Sequence, residues 1–126
     1  MAYIIGPVLG VLICGFARAV AFDRDRAFYP TVLIVIAFYY VLFEVMAGAT
    51  QALLLELVQV AVFTTVAVVG FKRSLWIVAA GLVGHGVFDL MHAHLVTNPG
   101  VPEWWPAFCS SIDVAMGLVL AASRKP

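Results

Sequence analysis

Five long apolar runs, separated by short polar or turn-forming stretches, leave this chain few ways to fold. The runs cover residues 2–21, 30–47, 51–71, 74–95 and 106–123, and most of them approach or reach the roughly 20 residues that a helix needs to cross a bilayer. Of the 126 residues, 64% are hydrophobic and 11% are charged, whereas a soluble domain needs far more polar surface. We therefore predict an all-α bundle of five transmembrane helices that forms a single domain, residues 1–126.

The breaks between the runs have the chemistry of helix ends. A charged segment, residues 23–26, follows the first run, and Pro30 suits the first turn of the second helix. Lys72 and Arg73 end the third run, and Ser74 is typical of an N-cap for the fourth helix. Turn-forming residues 97–102 separate the fourth run from the fifth.

Positive charge predicts the orientation of the bundle. Lysine and arginine follow only the first, third and fifth runs, as Arg18, Arg24, Arg26, Lys72, Arg73, Arg124 and Lys125. The positive-inside rule then predicts that the N-terminus lies outside and the C-terminus inside, with Trp104 and Trp105 at the outer interface. We expect a multi-pass protein of the bacterial inner membrane, and a homo-oligomer because so few helices bury little surface among themselves.

Two features near the first run bear on how the chain is processed and cross-linked. Residues 19–21 resemble a signal-peptide cleavage site, but no basic segment precedes the run and Arg18 lies within the site, so we expect a retained span. Cys14 and Cys109 would differ in depth by roughly 10 Å, too far for a disulfide. We interpret both cysteines as packing thiols.

The segment from Gly84 to His94 is the most informative part of the chain for function. His85, Asp89 and His92 stand at i, i+4 and i+7, so a helix places them along one stripe. Ionisable side chains are costly inside a bilayer and are rarely present there without a task or a partner. We expect His94, near the outer interface, to be solvated.

Other ionisable groups fall at a similar depth. At the helical rise per residue, the depths from the outer face are roughly 5 Å for Glu44 and His92, 8 Å for Glu56, 9 Å for Asp89, 10 Å for Asp113 and 15 Å for His85. Grouping such side chains around a cation offsets the cost of burying each of them. The sequence therefore predicts a metal site, with candidate ligands Glu44, Glu56, His85, Asp89, His92 and Asp113.

Within this set, His85, Asp89 and Asp113 are the candidate catalytic residues. Tyr40, Gln59 and Ser110 stand near the ligands in sequence and are expected to support them. The donors are nitrogen and oxygen without converging thiolates, which suits zinc, iron or manganese better than copper(I). We expect a divalent metal ion, zinc or iron, that activates either water for hydrolysis or oxygen.

The leading hypothesis is a metal-dependent membrane enzyme acting on a lipid or another apolar small molecule. An alternative is a transporter or channel subunit that relays protons or cations through Glu56, Asp89 and Asp113. A third is an accessory subunit in which the polar network only holds the bundle together. Zero net charge makes nucleic acid an unlikely partner, and a retinal protein is disfavoured because no span contains a lysine.

Three segments carry a resemblance to a family of small bacterial and fungal membrane proteins of unknown function. They are residues 23–30, residues 84–89 and residues 98–109, which contain the Asn-Pro-Gly-Val-Pro-Glu-Trp-Trp-Pro motif. This resemblance implies a membrane location and supplies no reaction. The His85-Gly86-x-x-Asp89 segment is also similar to one in bacterial membrane carotene dioxygenases, which use iron. It further resembles membrane hydrolases that hold zinc with three histidines, although one helix face cannot present His85, His92 and His94 together.

Overall fold

The computed structural model describes residues 2–21, 27–95 and 100–123, and these residues form helices and connections without any strand. The helices are α1 (Ala2–Ala19), α2 (Phe28–Met46), α3 (Leu53–Arg73), α4 (Leu75–Leu95) and α5 (Trp105–Ser123). Their ends lie within two residues of the predicted runs. The all-α fold is therefore confirmed.

Four of the helices, α2 to α5, contain stretches long and apolar enough to cross a membrane. The apolar stretch of α1, Tyr3–Ala19, is shorter than those four. Large apolar side chains are exposed along every helix, as Leu12, Val35, Val62, Val87 and Leu118 illustrate. Such exposure is what lipid-facing helix surfaces require, so the chain has the features of a multi-pass membrane protein.

The helix ends follow the chemistry of the sequence. Ser74 caps α4, since its Oγ accepts a hydrogen bond of 3.2 Å from the backbone N–H of Trp76, as predicted. Pro30 lies in the first turn of α2. Backbone N–H groups in a first turn have no partner within the helix, so the N–H that proline lacks is not needed there. At the other end of α2, Gly48 has a φ of 69°, which a residue without a side chain adopts at no steric cost.

The helices pack in the order α1, α5, α4, α3 and α2, so α1 and α2 are the two edges of a curved row. Close approach of α1 to α5 depends on Gly6, where a Cβ would meet the Phe108 carbonyl oxygen at 2.7 Å. A Cβ at Gly10, one turn later, would lie 3.2 Å from the Ile112 carbonyl oxygen. Because contacts advance in the same direction along both helices, α1 runs parallel to α5.

The bundle has two ends of different character. We call the end with Trp104 and Trp105 the tryptophan end, and the end with Arg18, Lys72 and Arg73 the basic end. The core toward the basic end is apolar and includes Leu33, Ala67, Val78, Leu82 and Leu120. The buried charged side chains of the described residues lie from the middle of the bundle to the tryptophan end, which is where the candidate site forms.

Candidate metal centre

Two helices contribute a four-residue cluster to the middle of the bundle. His85 and Asp89 lie on successive turns of α4, and Cys109 and Asp113 on successive turns of α5. One ligand atom from each residue lies within 4.8 Å of the other three. All four side chains are at most 1% exposed. We refer to these residues as the His–Asp–Cys cluster, and by composition and geometry it is able to hold a metal ion.

Asp113 is the common partner within the cluster. His85 Nδ1 lies 2.8 Å from Asp113 Oδ2 and 3.4 Å from Asp89 Oδ2. The Cys109 Sγ donates to the same Asp113 Oδ2 over 3.4 Å. Tyr40, on α2, donates its hydroxyl to Asp89 Oδ1 over 2.5 Å. Three helices therefore fix the cluster, although only two provide its candidate ligands.

Close contact between α4 and α5 brings the two pairs face to face. A Cβ at Gly86 would lie 2.7 Å from Val114 Cγ2 and 3.0 Å from the Ser110 carbonyl oxygen. The absence of a side chain at Gly86 thus permits the two backbones to approach next to His85. The sequence places His85 and Asp89, and also Cys109 and Asp113, four residues apart, so each pair projects from one helix face.

A second polar group lies nearer the tryptophan end. His92 Nε2 is 2.9 Å and 3.0 Å from the two carboxylate oxygens of Glu56, and both residues are buried. The imidazole of His92 stacks on the Tyr40 ring, with centroids 3.8 Å apart and planes 11° apart. Tyr40 therefore contacts the Glu56–His92 pair with its ring and Asp89 with its hydroxyl.

Glu44 occupies a third position, one turn beyond Tyr40 on α2. Its side chain is fully buried, and neither carboxylate oxygen has a hydrogen-bond partner among the described residues. The six predicted ligands thus fall into three places: His85, Asp89 and Asp113 together, Glu56 with His92, and Glu44 apart. The reason is the helical rise, since seven residues separate His85 from His92 by roughly 10 Å.

Cys109 is the residue that sequence reasoning missed. It was expected to be a packing thiol, and the donor set to contain no converging thiolate. The structure corrects the donor set, because the Cys109 Sγ lies among the carboxylates of the cluster. Cys109 also packs in an apolar cluster with Tyr40 and Trp105, as expected of a packing thiol. The signal was present in the i, i+4 spacing of Cys109 and Asp113, which repeats that of His85 and Asp89. Cys14 and Cys109 are both buried thiols.

The expected supporting residues take different roles. Gln59 donates to the Ala37 carbonyl oxygen over 2.6 Å and so ties α3 to α2. Ser110 is buried beside Gly86, where its carbonyl oxygen lies against α4. Tyr40, expected beside Glu44, bonds Asp89 instead. His94 is exposed, and its solvation remains a prediction.

An apolar cleft of about 910 Å³ runs between α2 on one side and α1 and α5 on the other. Cys109 and Asp113 both line it, so the cluster lies directly behind the wall of the cleft. Trp104 and Trp105 line it toward the tryptophan end, and Phe28 toward the basic end. Much of its remaining lining is aliphatic or aromatic, which makes it suited to a hydrocarbon and unsuited to a charged ligand.

Several buried donor and acceptor atoms of the cluster have no hydrogen-bond partner among the described residues. They are His85 Nε2, Asp89 Oδ2 and Asp113 Oδ1. Buried polar atoms in proteins are nearly always paired with protein groups, water or an ion. A metal ion coordinated by the cluster would supply the missing partner and the positive charge that two buried carboxylates require.

Comparison of the chain with protein-family models, with curated proteins and with solved structures found no match.

Proposed function

We propose that this protein is an integral membrane enzyme that depends on a divalent metal ion and acts on a lipid or another apolar molecule. One observation carries the proposal: of four buried side chains that could hold a metal ion, two, Cys109 and Asp113, also line an apolar cleft. A metal site with two ligands facing a ligand-sized cavity is the arrangement that catalysis requires.

Zinc is the metal that suits these residues best, with iron second. Cysteine, histidine and aspartate are all common zinc ligands, and donors at zinc bond lengths around a tetrahedral ion lie roughly 3.3–3.8 Å apart. Two distances bear on the ligand set: Cys109 Sγ lies 3.4 Å from Asp113 Oδ2, whereas His85 Nδ1 lies 2.8 Å from the same oxygen, which is a hydrogen-bond distance. The imidazole would therefore bind the metal through Nε2, which has no hydrogen-bond partner among the described residues. The sulfur of Cys109 argues against calcium and magnesium, which prefer oxygen ligands.

The chain's own residues would position the reactants and hold protons. A metal held by His85, Asp89 and Cys109 would keep a fourth position open, where it would act as a Lewis acid on a water molecule or a substrate oxygen. Asp113 is a lining residue of the cleft, and its buried Oδ1 has no hydrogen-bond partner among the described residues, so it would be the group that takes a proton from water at the metal. Tyr40 orients Asp89, and Asp113 orients the imidazole of His85.

The proposal includes five membrane crossings with the basic end in the cytoplasm. The parallel packing of α1 against α5 supports a crossing by α1, because a parallel neighbour of similar length spans a similar depth. The exposed Lys72 and Arg73 support the orientation. In a bacterium this corresponds to the inner membrane, with the site in the outer half, and assembly with further copies is part of the proposal.

The distribution of buried polar groups favours an enzyme over a proton or cation relay. Within the described residues, the buried acidic and histidine side chains extend from His85 to the tryptophan end, while the core toward the basic end contains none of them. A relay across the membrane requires polar groups or water along its whole length. A site accessible from one side and from the lipid matches the proposed enzyme.

Metal analysis tests the proposal directly. We expect about one zinc ion per chain in protein purified without chelators, measured by elemental mass spectrometry. Replacement by cobalt(II) should give a sulfur-to-cobalt charge-transfer band, because Cys109 is a ligand. Cys109→Ser should abolish this band, and Asp113→Asn should lower metal content.

Cys14→Ser is the matched control, since Cys14 is also a buried thiol but lies outside the cluster. It should leave metal content and the cobalt spectrum unchanged. Folded protein that neither contains nor takes up zinc, iron or cobalt would overturn the proposed metal dependence.

A further inference from the structure

We propose that the cleft binds the acyl chain of an ester-linked lipid, with the ester carbonyl at Trp105 and the middle of the chain at Cys109 and Asp113. This names the substrate class of the proposed enzyme and rests on that proposal for its chemistry: reaction at interior carbons requires the iron form of the site with molecular oxygen as the oxidant, because zinc-activated water does not attack a methylene group. The binding itself depends only on the shape of the cleft and on one hydrogen-bond donor. It can therefore be tested apart from the metal.

The size and openness of the cleft indicate a single chain from the bilayer. Its volume of about 910 Å³ lies in the range of small-molecule sites, about 300–1,000 Å³. A transmembrane helix, as a cylinder 30 Å long and 10 Å wide, occupies roughly 2,400 Å³, so it cannot enter. Leu9, Val35 and Leu42 line the cleft and are 38–47% exposed, which opens it sideways to lipid.

Trp105 provides the polar contact near one end of the cleft. Its side chain is 8% exposed, and its indole Nε1 has no hydrogen-bond partner among the described residues. Edge-to-face contacts with Tyr39 and Phe43, at centroid distances of 5.4 and 4.7 Å, hold the ring in place. A buried N–H donor of this kind requires an acceptor, and an ester carbonyl at the membrane interface is one.

The distance between Trp105 and the cluster identifies which part of the chain meets the proposed metal. Eight residues of α5 separate Trp105 from Asp113, which is roughly 12 Å along the helix. One leaflet of hydrocarbon is about 15 Å thick. A chain anchored at Trp105 therefore presents its interior carbons, and not its ester bond, to Cys109 and Asp113. The cleft continues to Met116, which leaves room for the rest of the chain.

Photocrosslinking with position-scanned lipids tests this arrangement. The protein would be placed in phosphatidylcholine nanodiscs with a trace of phosphatidylcholine carrying a diazirine at one defined acyl carbon. After photolysis, mass spectrometry locates the labelled residues. Carbons near the ester should label residues around Trp105, and mid-chain carbons should label α5 around Ile112 and Asp113.

One variant tests whether the cleft holds the chain, and another tests whether the Trp105 N–H binds the ester carbonyl. Val35→Trp fills the cleft and should remove the mid-chain labelling of α5, whereas Val62→Trp, on a lipid-exposed face outside the cleft, should not. Trp105→Phe keeps the ring but removes the N–H, and should weaken labelling about two- to tenfold, as expected for one lost hydrogen bond. Trp76→Phe, at an exposed tryptophan elsewhere, is its control.

Every outcome has a distinct meaning. Labelling spread over all exposed faces and unaffected by Val35→Trp would overturn the proposal, as would covalent dimers showing that a second copy covers the cleft. Equal labelling by an ester-free diazirine hydrocarbon would overturn the role of Trp105. Metal content is measured in the same samples, so cleft labelling of metal-free protein would refute the enzyme proposal while supporting this one.

Discussion

At the scale of single residues, Tyr40 is the side chain that connects the two buried polar groups. Its ring stacks on His92 and its hydroxyl donates to Asp89, although it belongs to a different helix from both. A tyrosine suits this position because it combines a large apolar surface with one hydrogen-bond donor. Its loss should therefore affect both the stability of the bundle and the orientation of the carboxylate.

Tyr40→Phe separates these two effects. The phenylalanine ring retains the stacking on His92 but leaves Asp89 without its donor. We expect the free energy of unfolding to fall by about 1.5–3 kcal/mol, the value of a hydrogen bond to a charged group. Reversible unfolding in mixed detergent micelles measures this change, and the zinc affinity of the cluster should also weaken.

Tyr39→Phe provides the comparison at the neighbouring position, where the side chain is half-buried and lines the cleft. We expect a change of less than about 0.5 kcal/mol and an unaltered zinc affinity. Equal effects of the two substitutions would contradict the role assigned to Tyr40.

At the scale of helices, the interface between α4 and α5 determines whether the cluster forms. Gly86 and Gly117 both lie at this interface, where a Cβ would meet backbone oxygen atoms of the facing helix at 3.0 Å. In a membrane, such close packing replaces the hydrophobic effect as the main attraction between helices. Since His85 is adjacent to Gly86, a change in helix spacing there also displaces a candidate ligand.

Gly86→Ala should push α4 and α5 apart. The new Cβ would lie 2.7 Å from Val114 Cγ2 and 3.0 Å from a backbone oxygen that cannot rotate away. We expect a loss of about 1–3 kcal/mol in unfolding free energy, typical of overpacking, together with a lower zinc content.

Gly84→Ala is the control on the same helix, because nothing lies within 4 Å of a Cβ at that position. The same measurements should show it to be neutral or slightly stabilising, as expected when alanine replaces glycine on an open helix face. Should Gly86→Ala prove as harmless as Gly84→Ala, the close-packing argument would be wrong.

At the scale of the whole molecule, the connections between the helices determine which residues lie at each end of the row. Alternate connections place Arg18, Lys72 and Arg73 at one end and Trp104 and Trp105 at the other, while the parallel pair α1 and α5 makes an odd number of helices fit into one row. The edges of this row, α1 and α2, border the cleft. A polar cluster buried within the row thereby lies next to its open side.

Cysteine labelling tests the proposed orientation. Thr50→Cys reports on the α2–α3 connection and Lys72→Cys on the basic end, where Arg73 keeps a positive charge. In intact bacteria, a membrane-impermeant maleimide should label Thr50→Cys at once and Lys72→Cys only after permeabilisation. The wild-type chain is the control, because both native thiols are buried. The reversed pattern would place the basic end outside.

Much of the architecture was accessible from the sequence, because it depends on local properties. The helices follow from runs of apolar residues, and their ends from proline, serine and the charged breaks, each of which acts within a few residues. The positions of His85, Asp89 and His92 on one face of α4 likewise follow from helical periodicity alone. The burial of all three is consistent with that face pointing inward.

Which side chains meet was decided by the tertiary structure. The sequence indicated depth along each helix but neither the rotation of a helix about its axis nor its neighbours, so six groups at similar depths became a cluster, a pair and a single carboxylate. Cys109 joined His85 and Asp113 because glycine lets α4 and α5 approach closely. Helical periodicity and the free energy of transfer into lipid are properties of one helix at a time. A site depends on how several helices are placed relative to one another.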